Sequence, residues 1–194
     1  MPSTKFRLSA ALLALSAWAA PALAATPQVT FVATPNPAQQ GSTLDIGVLI
    51  AGVADLYAYN FSLTFDASLL QVTSIDTGSF LATGGTTTGD TGTVDNTAGT
   101  ISFAYNSLIG AIPGVSGNGT LLTVHLSAIG TGTSPLTFVA ADTTFLDSNL
   151  ATITVQTVDS SVQVAAAVPE PESYLMLAAG LAGLGLWRRR QKAA

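Results

Sequence analysis

Between Tyr57 and Asp66 apolar and polar side chains alternate without a break. Tyr57, Tyr59, Phe61, Leu63 and Phe65 fall on one side, and Ala58, Asn60, Ser62 and Thr64 on the other. A period of two sustained over ten residues is a half-buried strand of an antiparallel sheet, because successive side chains of a strand leave opposite faces. The same alternation runs through Thr43–Ala51, with Leu44, Ile46 and Val48 inward, and through Leu121–Ala128, with Leu122, Val124, Leu126 and Ala128 inward. Further strands are expected at Gln28–Ala33, Leu69–Ile75, Thr100–Tyr105, Leu136–Ala140, Ala151–Gln156 and Ser161–Ala165, separated by Gly, Pro, Asn and Asp. No stretch between the termini has a helical period. Many short strands punctuated by turns imply an all-β sandwich. Two Gly-rich stretches, Thr83–Thr93 and Ile109–Gly119, are expected as exposed loops.

Both ends of the chain are targeting segments. Lys5 and Arg7 precede the apolar run Leu8–Ala19 and the small-residue site Ala22-Leu23-Ala24, the pattern of a secretory signal peptide over residues 1–24. At the other end Val168-Pro169-Glu170-Pro171-Glu172 leads into an uncharged apolar stretch and then Arg188-Arg189-Arg190-Gln191-Lys192. A helix over Tyr174–Trp187 spans about 21 Å, short for a bilayer, with the arginines resisting translocation. It is expected as a short transmembrane helix. The order Pro-Glu-Pro, apolar run, arginine cluster resembles the PEP-CTERM sorting signal of exported bacterial proteins. That resemblance assigns residues 168–194 to sorting, implies recognition by an exosortase through Pro169, Glu170, Pro171, Arg188, Arg189 and Arg190, and places the protein at the cell envelope, the cell surface or the extracellular matrix.

The domain between, residues 25–167, holds none of the six Lys and Arg of the chain. With nine Asp, no Glu and a neutral His125 its formal charge is −9, and no internal ion pair is expected. Such a surface lacks the basic footprint of a nucleic-acid binder and suits cations, neutral glycans or a basic protein surface. With no cysteine, an exported domain of this kind has no disulfide and no thiol chemistry, so its core alone holds the fold.

Several stretches resemble a cohesin domain, the module that grips dockerin domains: Asn36–Thr43 before the second strand, Tyr59–Leu70 with its aromatic-Asp-x-x-Leu-Leu corner, Gly99–Phe103, Gly119–Val124, Asp147–Leu150 and Val158–Val162. The resemblance implies a nine-stranded jelly-roll sandwich and a non-catalytic protein–protein adaptor. Its partner, a dockerin-like or other extracellular protein, would meet the exposed side of the Tyr57–Asp66 strand: Ala58, Asn60, Ser62 and Thr64, with His125 assigned to the same exposed sheet. The family's usual Asn and Asp at the first two positions are Ala58 and Asn60 here, which removes one hydrogen-bonding group and one charge. Relatives of this sandwich bind polysaccharide, so an exopolysaccharide-matrix protein is the alternative.

Catalytic patterns are sparse. Asp76-Thr77-Gly78-Ser79 and Asp90-Thr91-Gly92-Thr93 carry the aspartic-peptidase sequence, whose chemistry needs two carboxylates about 3 Å apart sharing a proton; this is the remote third reading. The stretch Gly84-x-x-x-x-Gly89-Asp90-Thr91 puts Asp90 where a phosphate loop needs Lys. Calcium is the one cofactor the composition leaves open, through Asp90 and Asp95 in one loop and Asp142 and Asp147 around another.

Overall fold

The computed structural model describes residues 26–167, 175–182 and 188. In chain order the strands are β1 (Gln28–Thr34), β2 (Ala38–Gln39), β3 (Thr43–Leu56), β4 (Ala58–Thr64), β5 (Leu70–Thr77), β6 (Thr87–Asp90), β7 (Thr93–Asp95), β8 (Thr100–Leu108), β9 (Val115–Ala128), β10 (Gly132–Phe138), β11 (Thr144–Leu146), β12 (Gln156–Val158) and β13 (Ser160–Ala165). They form a five-stranded sheet, β12-β1-β3-β9-β5, and an eight-stranded sheet, β2-β13-β10-β4-β8-β6, in which β11 also pairs with β4 and β7 with β8. All pairs are antiparallel except β1–β12 and β2–β13, so the all-β sandwich holds. Where nine strands were expected, thirteen appear among the described residues, because the edges are built from pieces of two to four residues too short to alternate visibly.

The inward faces follow the sequence pattern. Leu44, Ile46, Val48 and Ile50 of β3 and Leu122, Val124 and Leu126 of β9 are buried against Tyr59, Phe61 and Leu63 of β4 and Val162 and Val164 of β13. Phe31 of β1 stacks on Phe138 of β10 with ring centroids 4.2 Å apart, and Phe61 meets Phe138 edge-on at 5.9 Å. These rings tie the two sheets together, since β1 and β10 belong to different layers. The corner after β4 is closed by Asp66: its Oδ1 accepts the Ser68 N–H at 2.8 Å and the Ser68 hydroxyl at 2.6 Å, which holds its carboxyl below the usual range.

Four expectations change. The Gly/Thr-rich stretch Thr83–Thr93 contains β6, because Gly89 can lie directly against β8, where a Cβ would collide with the backbone of Asn106. The loop before β9 ends early, at Gly114, and β9 bulges repeatedly against β3. Ala151–Gln156 is not a strand: Thr152 makes one bridge to Leu146, after a turn capped by Asp147, and β12 begins only at Gln156. Tyr57, on the apolar side of the Tyr57–Asp66 alternation, packs against the core but is only half-buried, and donates its hydroxyl to Gly110 O at 2.7 Å.

Of the C-terminal segment, 175–182 is helical and exposed. Among the described residues no helix is long and apolar enough to cross a membrane. The signal peptide, Pro169, Glu170, Pro171, Arg189 and Arg190 lie outside the described residues.

Candidate partner-binding face

Register places the outward side chains of the eight-stranded sheet in rows. One row runs Asp90, Tyr105, Asn60, Thr144 across β6, β8, β4 and β11; the next runs Thr88, Ser107, Ala58, Leu146. Between them lies a shallow, mainly apolar dish of 270 Å3. Ala58, Asn60, Tyr105, Ser107 and Leu146 line it, and Phe103 stands at its side. Phe103 is 60% exposed and Tyr105 43%. Asn60 is fixed by donating its Nδ2 to Asp142 O at 2.9 Å, and Thr64 shares a 2.6 Å hydrogen bond with Thr137.

Of the four β4 residues expected outward, Ala58, Asn60 and Thr64 are partly exposed, but Ser62 is 3% exposed. The β4–β8 register slips between Phe61 and Leu63, and the bulge on β8 folds over Ser62, whose Oγ accepts the Phe103 N–H at 3.0 Å. Ser62 is therefore a support beneath the face. The two aromatic residues that dominate the surface escaped sequence reading because simple alternation along Thr100–Tyr105 puts Ile101, Phe103 and Tyr105 on one side. The bulge separates them: Ile101 and Ala104 point inward and Phe103 and Tyr105 outward.

His125 does not join this face. It sits on β9 in the five-stranded sheet, on the opposite layer. Its Nδ1 lies 2.6 Å from Asp45 Oδ1 on β3 and its Nε2 3.0 Å from Asp76 Oδ2 on β5. With both ring nitrogens facing carboxylate oxygens, only the imidazolium donates to both. The hydrogen bonds to Asp45, then to Asp76, raise its pKa, while slight burial opposes them. The expectation of no internal ion pair is thereby corrected: with its histidine protonated, this domain pairs His125 with Asp45 and Asp76.

The same geometry separates the two Asp-Thr-Gly sequences. Asp76 is on β5 in one sheet and engaged by His125; Asp90 is on β6 in the other, with Oδ1 accepting the Gly92 N–H at 2.8 Å. They do not form the paired carboxylates of an aspartic peptidase within this chain. The acids offered for calcium are likewise turn caps. Asp95 Oδ1 accepts the N–H groups of Thr97 and Ala98, which lowers its pKa, and Asp147 Oδ1 accepts those of Asn149 and Ala151. Asp142 lends Asn60 only its backbone carbonyl. Among the described residues no three His, Asp or Glu side chains converge on a metal position.

One carboxylate that sequence reading passed over builds the end of the face. Asp55, held at φ 59°, accepts the Gly114 N–H through Oδ1 at 2.6 Å and the Ser148 hydroxyl through Oδ2 at 2.7 Å. These bonds, Ser148 first, lower its pKa and lash the end of β3 to the loops before β9 and after β11.

This two-layer topology, with the described strand at its centre, matches known proteins. The cohesin-domain family model matches residues 29–164. The chain belongs to the cohesin-domain family. The PEP-CTERM protein-sorting motif model matches residues 167–190. Among solved structures, the second type II cohesin module from the adaptor ScaA scaffoldin of Acetivibrio cellulolyticus aligns at TM-score 0.62 and 15% identity, covering 77% of this chain and 96% of that one. The non-cellulosomal cohesin of the archaeon Archaeoglobus fulgidus aligns at 0.56 and 17%, covering 78% and 98%. A Clostridium thermocellum chain from the Coh-OlpA–Doc918 cohesin–dockerin complex aligns at 0.56 and 16%, covering 73% and 100%. At these identities the likeness is one of fold. No curated protein matches the chain. In this cohesin Ala58 and Asn60 at the start of β4 line the dish together with Phe103 and Tyr105 of β8.

Proposed function

We propose that this cohesin is an exported, envelope-sorted, non-catalytic adaptor that binds an extracellular protein through the outward face of its eight-stranded sheet. The observation that carries the reading is the apolar dish around Tyr105, Asn60 and Leu146 in a domain of a binding family. Solvent-facing aromatic rings on a rigid sheet are what a protein interface uses as anchors. The solved cohesin–dockerin complexes support a dockerin-like partner. Residues 1–24 act as the export signal, 25–167 as the binding module and 168–194 as the sorting tail, recognised by an exosortase around Pro169-Glu170-Pro171. The tail motif supports that assignment and placement at the envelope.

A second reading, polysaccharide binding in an extracellular matrix, draws on one observation: Phe103 and Tyr105 expose their rings on a flat sheet, a surface on which sugar rings can stack. The test is capture by the full chain of purified calcium-loaded dockerin modules and, separately, of exopolysaccharide. Saturable capture of a dockerin that is lost on calcium chelation supports the adaptor; capture of polysaccharide alone overturns it.

A further inference from the structure

The backbone of β8 is bent in order to present Phe103. The residue sits at φ 61°, in the left-handed region that bulky side chains rarely occupy. Strain of this sort persists only where the surroundings impose it, and it collects at functional positions. Two groups impose it here. Below, the nearly buried Ser62 accepts the Phe103 N–H. Alongside, Gly92 at φ 90° lies so close that a Cβ would come within 2.7 Å of Ser102 O and 2.9 Å of Ala104 N. The result is not burial, since the ring is the most exposed aromatic side chain of the sandwich. The fold gains no core from Phe103, and it holds the ring out beside the dish.

We propose that Phe103 is a preset aromatic anchor, with Ser62 as its positioning residue, for a protein partner that offers an apolar pocket bordered by lysine or arginine. The proposal rests on the adaptor reading and names the chemistry of its partner. Charge selects that chemistry. Residues 25–167 carry no Lys or Arg. The exposed Asp90 lies directly across from Tyr105, and Asp142 adjoins Asn60. A basic rim on the partner complements these acids, whereas a second copy of the domain brings nine more carboxylates and is repelled.

Phe103→Gly separates the roles, because glycine adopts the same backbone without strain. The full chain is used to select from a phage-displayed library of random dodecapeptides, and the winners are titrated against the wild type, Phe103→Gly and Ser62→Ala. Expected are peptides with an apolar residue flanked by Lys or Arg, whose affinity falls about thirtyfold or more in Phe103→Gly, the scale of an interface hot spot. A smaller loss is expected in Ser62→Ala, and an unfolding midpoint in Phe103→Gly equal to or above that of the wild type. Peptides that bind Phe103→Gly as tightly as the wild type overturn the anchor and leave the adaptor standing, provided a dockerin module is still captured. Winners without positive charge, or no winners at all, overturn the partner chemistry. A lowered midpoint in Phe103→Gly shows that the ring is structural and overturns the proposal.

Discussion

Removing the carboxamide of Asn96 is expected to uncover a sheet edge. β5 is the last strand of the five-stranded sheet, and among the described residues no strand pairs with its outer side. Asn96, in the turn after β7, fills one position of that edge: its Oδ1 accepts the Val72 N–H at 2.8 Å and its Nδ2 donates to Val72 O at 3.0 Å. These are the two bonds a paired strand residue would make. Each hydrogen bond contributes about 0.5–1.5 kcal/mol net, and Val72 is only 7% exposed, so water replaces them poorly. Asn96→Ala should therefore cost about 2 kcal/mol. With a urea dependence of about 1–3 kcal/mol per molar, the unfolding midpoint drops by about 1 M. Asn96→Asp keeps the acceptor for Val72 N–H but sets a carboxylate oxygen against Val72 O, and should lose at least as much. The opened edge also becomes a template for strand pairing, so sedimentation velocity on Asn96→Ala should show self-association rising with concentration. An unchanged midpoint together with wild-type sedimentation would refute the idea that this side chain guards the edge.

Three further outcomes follow from the interior and from the second sheet. Tyr59 donates its hydroxyl to Leu121 O at 2.6 Å, and burial pushes its pKa up to about 12 against the opposing hydrogen bond from Asn106. Tyr59→Phe takes away one of two donors to that carbonyl, which keeps the Gly78 N–H at 2.9 Å, and should cost about 0.5–1.5 kcal/mol in chemical denaturation, while the phenolate step near 12 disappears from the ultraviolet pH titration. His125 has a raised pKa, so its contribution is complete below the unfolded value near 6.5 and is lost as pH rises through the higher folded value. His125→Gln should therefore lower the melting temperature slightly at acid pH and much less at alkaline pH, and added salt should shrink the difference; a difference that grows with pH contradicts the assigned imidazolium. Gly99 sits at φ 70°, with its Cα against the backbone of Phe65 and Ala67. Gly99→Ala meets both strain and collision there, and should lower the unfolding free energy by about 1 kcal/mol or more in chemical denaturation.

The long strands were legible because one face of each is buried and the other wet. Leu44, Ile46 and Val48, and Leu122, Val124 and Leu126, could be placed inward from alternation alone. What alternation cannot carry is a change of phase. The slip between Phe61 and Leu63 buries Ser62, and the matching bulge turns Phe103 out, yet both residues keep their place in an unbroken period of two. Partnership between distant strands is equally silent. His125 looked like part of the Ala58–Thr64 face, and only the sheet order shows that β9 lies between β3 and β5, where Asp45 and Asp76 close on the ring. The short edge strands β2, β6, β7, β11 and β12 span too few residues for a period, and the Gly of β6 reads as a loop because the close approach that requires it is tertiary. The acids at Asp90, Asp95 and Asp147 looked like cation ligands for a related reason: a turn cap and a metal ligand use the same residue, and only the backbone N–H groups aimed at each carboxylate tell them apart.

A protein docked on the outward face of the eight-stranded sheet would shield the strands beneath it from solvent. Hydrogen–deuterium exchange of the full chain, with and without a captured dockerin module, reads that shielding strand by strand. Slowed exchange is expected in Ala58–Thr64, Thr100–Leu108 and Thr144–Leu146, with Gln28–Thr34 and Leu70–Thr77 unchanged. Slowed exchange confined to the sheet that carries His125 would contradict docking on that face.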